Sequence, residues 1–185
     1  MSFRIKHATA AALLALGGTS IALAQAVHAD LHGFQEVPAV TTFATGTFRA
    51  KLDSAGRSIF YELDFGNLQG TVTQAHIHIG QLSVNGGIAV WLCGTGTANL
   101  AGPPGTPVCP AGGGLVNGVI TPANVVGTPA QLLGAQEFDK LVEAIRAGVT
   151  YANVHSSLVP GGEIRGQIRA EAEPTPFVVN PGSNN

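Results

Sequence analysis

Ala75-His76-Ile77-His78-Ile79-Gly80 decides how the chain is read. Apolar and ionisable residues alternate with period two, the spacing of a β-strand, whose successive side chains point to opposite faces. Ala75, Ile77 and Ile79 therefore share one face, and His76 and His78 the other. The pattern returns about 75 residues later. In Tyr151-Ala152-Asn153-Val154-His155, Ala152 and Val154 take one face, and Tyr151, Asn153 and His155 the opposite one. The chain then runs through Pro160-Gly161-Gly162, and Ile164, Gly166 and Ile168 alternate with Glu163, Arg165 and Gln167. If the three apolar faces close on one core, the three polar faces converge on one surface. That surface would bear three His, one Glu and one Arg.

The same alternation extends outward from these segments. Strands are expected over residues 27–33, 45–52, 58–65, 72–79, 88–92 and 115–120. The run 88–92 is mostly apolar, which suits a central strand. Within 58–65, Ile59, Tyr61, Leu63 and Phe65 fall on one side, while Glu62 and Asp64 face solvent. Asp53-Ser54-Ala55-Gly56 is a hairpin turn signal, and Asn67-Leu68-Gln69-Gly70 turns the chain again. Thr121-Pro122-Ala123-Asn124 reads as an N-cap followed by Pro at the first position of a single helical turn. Residues 135–147 form the one longer helix. Phe138, Leu141, Val142 and Ile145 make a single buried stripe, and Gly148 suits the C-terminal cap. Many short strands with abundant Gly and sparse charge predict a mainly β fold, an antiparallel β-sandwich with one crossover helix.

The N-terminus sets the compartment. Arg4 and Lys6 precede an apolar run rich in Ala and Leu that ends in small residues near Ala24 and Ala26. This is the form of a secretory signal peptide over residues 1–26, with cleavage between Ala24 and Ala29 and a secreted or periplasmic mature chain. No second stretch is long and apolar enough to cross a bilayer, so no membrane partner is expected. Removing Arg4 and Lys6 leaves seven basic against eleven acidic side chains, a net charge of −4. A mildly acidic chain without a basic cluster is not built for nucleic acid. The tail, residues 171–185, carries three Pro and reads as disordered after a domain spanning 27–170.

Cys93 and Cys109 bracket a segment dense in Gly and Pro. One even pair in an exported chain is most simply a disulfide. A metal or redox role is the alternative, but there is no Cys-x-x-Cys and the loop between them holds no His.

Glu36-Val37-Pro38, Ala75-His76-Ile77-His78, and Tyr151-Ala152-Asn153-Val154-His155 leading to Pro160-Gly161-Gly162-Glu163-Ile164-Arg165-Gly166-Gln167-Ile168 together resemble the CHRD domain. This domain was first described in chordin and also occurs in secreted bacterial proteins. The resemblance covers nearly all of the mature chain and implies an exported β domain. A local likeness to copper/zinc superoxide dismutase, an Ig-like sandwich, rests on the His-x-His strand, a later Val-His strand and an Arg on a Gly-flanked strand. His76, His78, His155 and Arg165 match those parts. No His lies between Gly80 and Val154, so the bridging His and zinc subsite of that enzyme have no counterpart.

The residues themselves point to a metal. Two imidazoles on one strand face plus a third on a matching strand make a donor set for copper or zinc. Glu163, Arg165 and Asn153 are expected around it, Glu163 as a further ligand or as an acceptor orienting an imidazole. An ordinary imidazole would release the metal as pH falls through about 6. A structural reading stands beside this one, with His76 and His78 bonding the 160–162 turn and Glu163 paired with Arg165. His28 and His32 share a face of the first strand, of unknown phase relative to the site. Trp91 reads as core. No Gly-x-Ser-x-Gly elbow or acid–base carboxylate pair is present, so enzymatic chemistry is not indicated. A metal-free module binding an extracellular protein or polymer is the alternative, and a dismutase-like redox enzyme a further one.

Overall fold

The period-two segments pair into an antiparallel sheet whose order is not the order of the chain. A computed structural model describes residues 25–171 except 54, 56, 98 and 99. The expected leader, residues 1–26, and the expected tail, residues 171–185, therefore lie outside the described residues, apart from Gln25, Ala26 and Glu171. The strands are β1 (Gln25–His32), β2 (Thr45–Asp53), β3 (Ser58–Gly66), β4 (Val72–Ile79), β5 (Ile88–Gly94), β6 (Gly114–Ile120), β7 (Thr150–Ser156), β8 (Ile164–Gln167) and β9 (Arg169–Ala170). They follow the spatial order β5-β4-β7-β8-β1-β2-β3-β6, with β9 added against β1. Every pairing is antiparallel.

The sheet curls until β5 and β6, the two ends of the path, come back beside each other. Tyr61 on β3 spans the remaining gap, its hydroxyl donating to the Leu92 carbonyl on β5 at 2.7 Å. The result is a sheet nearly closed into a barrel, sandwich-like in section. Its interior takes the apolar half of each alternation. Val27, Ala29 and Leu31 come from β1, Phe48, Ala50 and Leu52 from β2, and Ile59, Leu63 and Phe65 from β3. Ala75, Ile77, Ala152, Val154 and Ile164 complete the opposite wall. Phe60, Glu62 and Asp64 stay outside, as the alternation requires.

Residues 88–92 form the end strand of the sheet and not a central one. β5 is buried all the same, because irregular segments cover its outer edge. Val125 bridges Val90, and Val108 bridges Gly94. Near closure therefore gives an end strand the apolar composition of an interior one.

The crossover helix α1 (Phe138–Arg146) lies between β6 and β7 in sequence. Its buried residues are Phe138, Leu141, Val142 and Ile145, the stripe read from the spacing. It begins three residues later than the periodicity suggests. Gln136 is left-handed at φ 66°, and the Glu137 carboxylate folds back to accept from the Gly134 amide at 2.7 Å. Gly148, at φ 68°, ends the helix. Its amide bonds to the Ile145 carbonyl, and the Val149 amide bonds to Ala144, the paired contacts of a Schellman motif. The turn at 122–124 is closed as expected, with Asn124 Oδ1 accepting from the Thr121 amide at 2.8 Å. Cys93 and Cys109 are bonded and fasten the Gly/Pro loop to the end of β5.

Candidate metal centre

β7 lies between β4 and β8, so its polar side chains meet those of both neighbours. Asn153 stands opposite His76 on one side and Arg165 on the other. Tyr151 stands opposite His78 and Gln167 in the same way. His155 is diagonal to His76, two residues further along β7. Register shifts in β4 against β5, between Ala75 and His76 and again between Ile77 and His78, bend this stretch of the strand.

The polar face is not a surface, which corrects the sequence expectation. His76 is fully buried, and Asn153, His155, Arg165 and Gln167 are buried with it. Alternation tells which residues share a face but not what covers that face. Here it is covered by three loops. Residues 80–87 supply the Gly86 carbonyl to His78 Nδ1 at 2.9 Å. Residues 157–163 supply the Pro160 carbonyl to His155 Nδ1 at 2.9 Å. Residues 33–42 bring in Glu36 and are tied to the first loop by Asn85 Nδ2 donating to the Val37 carbonyl at 2.8 Å.

These contacts fix the imidazoles. His78 donates Nδ1–H to the Gly86 carbonyl, which leaves its Nε2 as the lone-pair nitrogen of a neutral ring, and His155 Nδ1 faces the Pro160 carbonyl. His155 Nε2 lies 3.1 Å from His76 Nδ1 and 3.0 Å from Asn153 Oδ1. The Nε2 atoms of His76 and His78 are buried without a hydrogen-bond partner. One ring nitrogen from each of the three His lies within 4.8 Å of the others. No carboxylate or thiolate joins this group among the described residues.

Aromatic rings hold the imidazoles in place. His78 stacks on Tyr151 with ring centres 4.8 Å apart, and the Arg165 guanidinium lies 3.4 Å from the Tyr151 ring centre. His76 packs edge-on against Trp91 at 4.3 Å. Trp91, read from the sequence as core, is half-buried and forms a wall of the site. Arg165 reaches past Tyr151 to Asn85 Oδ1 and the Gln81 and Val84 carbonyls at 3.0–3.2 Å, pinning the 80–87 loop.

Burial sets the charge state. It depresses His76 to a pKa of about 2, with the neighbouring His155 and His78 pushing the same way. His78 is lowered to about 4, again chiefly by burial. His155 is lowered by burial against the pull of the Pro160 carbonyl. Neutral imidazole is the ligating form, so the proton competition expected near pH 6 moves to lower pH, to about 4 at His78.

Glu163 does not join the histidines. Its Oε1 accepts from Thr42 Oγ1 and from the Gln69 amide, both at 2.8 Å, clamping two other loops. Burial alone would raise its pKa, but bonds from Ser156, Gln69, Thr42 and Gly70 outweigh it and hold the carboxylate ionised. It precedes β8, which begins at Ile164, and so escapes the phase of Arg165 and Gln167. The carboxyl group beside Asn153 and Arg165 is Glu36, which burial pushes up to about 7 against the pull of both. The Glu36-Val37-Pro38 motif was visible in sequence, but an irregular segment gives no phase from which to place it. His28 and His32 alternate with the core residues of β1 on the opposite side of the strand and are not part of the three-His group.

No curated protein matches the chain. The model of the CHRD domain matches residues 27–168, which include every histidine, aromatic and loop residue described above, and the chain belongs to the CHRD-domain family.

Proposed function

We propose that this is a secreted or periplasmic CHRD-domain protein that binds one copper or zinc ion through His76, His78 and His155. The carrying observation is the donor set. Three neutral ring nitrogens lie within 4.8 Å of one another, and the buried Nε2 atoms of His76 and His78 have no partner. A buried polar atom left unpaired costs free energy, and a bound ion would recover it. Backbone carbonyls on His78 and His155 supply the outer contacts that orient ligating imidazoles. Asn153 and Arg165 support the site, the first beside His155 and the second through the 80–87 loop.

The test is a titration of metal-free protein with copper and zinc, read by mass spectrometry and competition with a chromogenic chelator. Wild type should take one equivalent. His78→Ala and His155→Ala should each weaken binding by about 100-fold or more. A triple Ala variant that binds like wild type would remove the site.

Export supports the same reading. The disulfide suits an oxidising compartment, and among the described residues no helix is long and apolar enough to cross a membrane. β1 pairs with β2 from Gln25, and Val27 is core, so cleavage after Ala24 or Ala26 keeps the buried part of the strand. The exported protein should begin at one of these points. Mass spectrometry finding an intact Met1 would refute removal of residues 1–26.

One observation favours a second reading, a metal-free extracellular module. Phe60 and Val119 are paired across β3 and β6, and both are exposed. Such a patch suits a protein or polymer partner. It would become the leading reading if the titration finds no metal.

A further inference from the structure

We propose that the three-His site selects copper as Cu(I) over Zn(II) and Cu(II); this rests on the metal-binding reading above and adds the identity and oxidation state of the ion. The donor set is the first argument. Zn(II) fills a tetrahedron and Cu(II) prefers a tetragonal set, so each needs at least a fourth ligand, whereas Cu(I) is satisfied by three. The chain offers three imidazole nitrogens and no carboxylate or thiolate in the group among the described residues. Glu163, the residue whose position in the sequence best suited a fourth ligand, is committed to Thr42 and Gln69. A fourth ligand from solvent would have to enter a site whose three histidines are at most 7 % exposed.

Charge is the second argument. The guanidinium of Arg165 is buried on the far face of Tyr151, whose near face stacks on His78. Its hydrogen bonds run to an amide oxygen and two carbonyls, and the carboxyl group beside it, Glu36, is pushed up to about 7 by burial and so offsets its charge only in part at neutral pH. Adding a divalent ion to three neutral ligands beside this cation brings two further positive charges into the interior. Adding Cu(I) brings one. The cost of burying charge grows with its square, so the monovalent ion is favoured steeply.

Trp91 makes the proposal measurable without any activity. It is the single tryptophan of the chain and packs 4.3 Å from His76, so its fluorescence reports occupancy. Metal-free wild type would be titrated anaerobically with Cu(I) against bicinchoninate, and separately with Zn(II) and Cu(II), following Trp91 and the copper X-ray absorption edge. The expected result is one Cu(I) per chain, quenching of Trp91, a three-coordinate nitrogen-ligated edge spectrum, and affinity at least about 100-fold tighter than for Zn(II). Arg165→Gln should narrow that ratio by about tenfold if the charge argument holds. Should that variant fail to fold, the wild-type ratio still decides. Zinc binding as tightly as Cu(I), with loss in the triple Ala variant, would overturn the selectivity and keep the three-His site. No binding of any ion to wild type beyond the triple Ala variant would overturn both.

Discussion

At the scale of single residues, the site depends on one glycine as much as on its histidines. Gly162 has φ 125°, a conformation that side chains rarely adopt. A Cβ there would lie 2.5 Å from Glu36 Oε1 and 2.6 Å from Asn153 Nδ2. Neither neighbour can retreat freely, since Glu36 and Asn153 are both buried. Gly162→Ala should therefore cost about 2–3 kcal/mol, from backbone strain and overpacking together. It should also disturb the Asn153 amide beside His155 Nε2, so metal affinity and melting temperature should fall together. Differential scanning calorimetry and the metal titration check both. A variant that melts like wild type would mean that the Gly162 turn relaxes more easily than its contacts indicate.

At the scale of elements, the helix and the strands differ in how far sequence spacing determines them. The stripe Phe138, Leu141, Val142 and Ile145 is buried throughout. Leu141→Asp places a carboxylate in that contact and should cost about 3–5 kcal/mol, enough to lower the melting temperature by well over 5 °C. A melt within about a degree of wild type would show that the helix does not carry the core. The helix start was less legible than its face. Apolar spacing continues through a left-handed residue, and only the φ of Gln136 shows where the helix cannot extend. Strand faces were legible for the same reason as the stripe, because period two needs no knowledge of partners. Strand order was not. Residues 88–92 read as central because they are apolar, yet they end the sheet and are covered by Val125 and Val108. Covering by irregular segments leaves no periodic trace.

At the scale of the whole molecule, the three-His cluster was legible because β4 and β7 are neighbours and each carries its histidines in phase. Its burial was not legible, because the loops 33–42, 80–87 and 157–163 that close over it have no periodicity. The misplacement of Glu163 and the missed role of Glu36 follow from the same limit, since both lie in irregular backbone. Burial in turn makes a prediction about acid. An unfolded chain protonates its histidines near pH 6.5, whereas the folded chain holds His76 near 2 and His78 near 4. Between these values the unfolded state binds more protons, so stability present above pH 6.5 is lost as pH falls. Glu36 works in the opposite sense. Its pKa is raised from 4.5 to about 7, so the folded state holds the extra proton, and this contribution fades as pH rises through 7. Three lowered histidines outweigh one raised carboxyl group, at about 1.4 kcal/mol per pH unit for each net proton. Metal-free protein should therefore lose at least about 4 °C of melting temperature between pH 7 and pH 5. Bound metal should keep its stabilising increment further into acid than ordinary imidazole ligands would allow, because burial lowers all three histidines in the folded state. Calorimetry of metal-free and loaded protein at pH 7, 6 and 5 measures both quantities. A melting temperature that is flat in the metal-free form would mean that the imidazoles reach solvent more readily than the three covering loops allow.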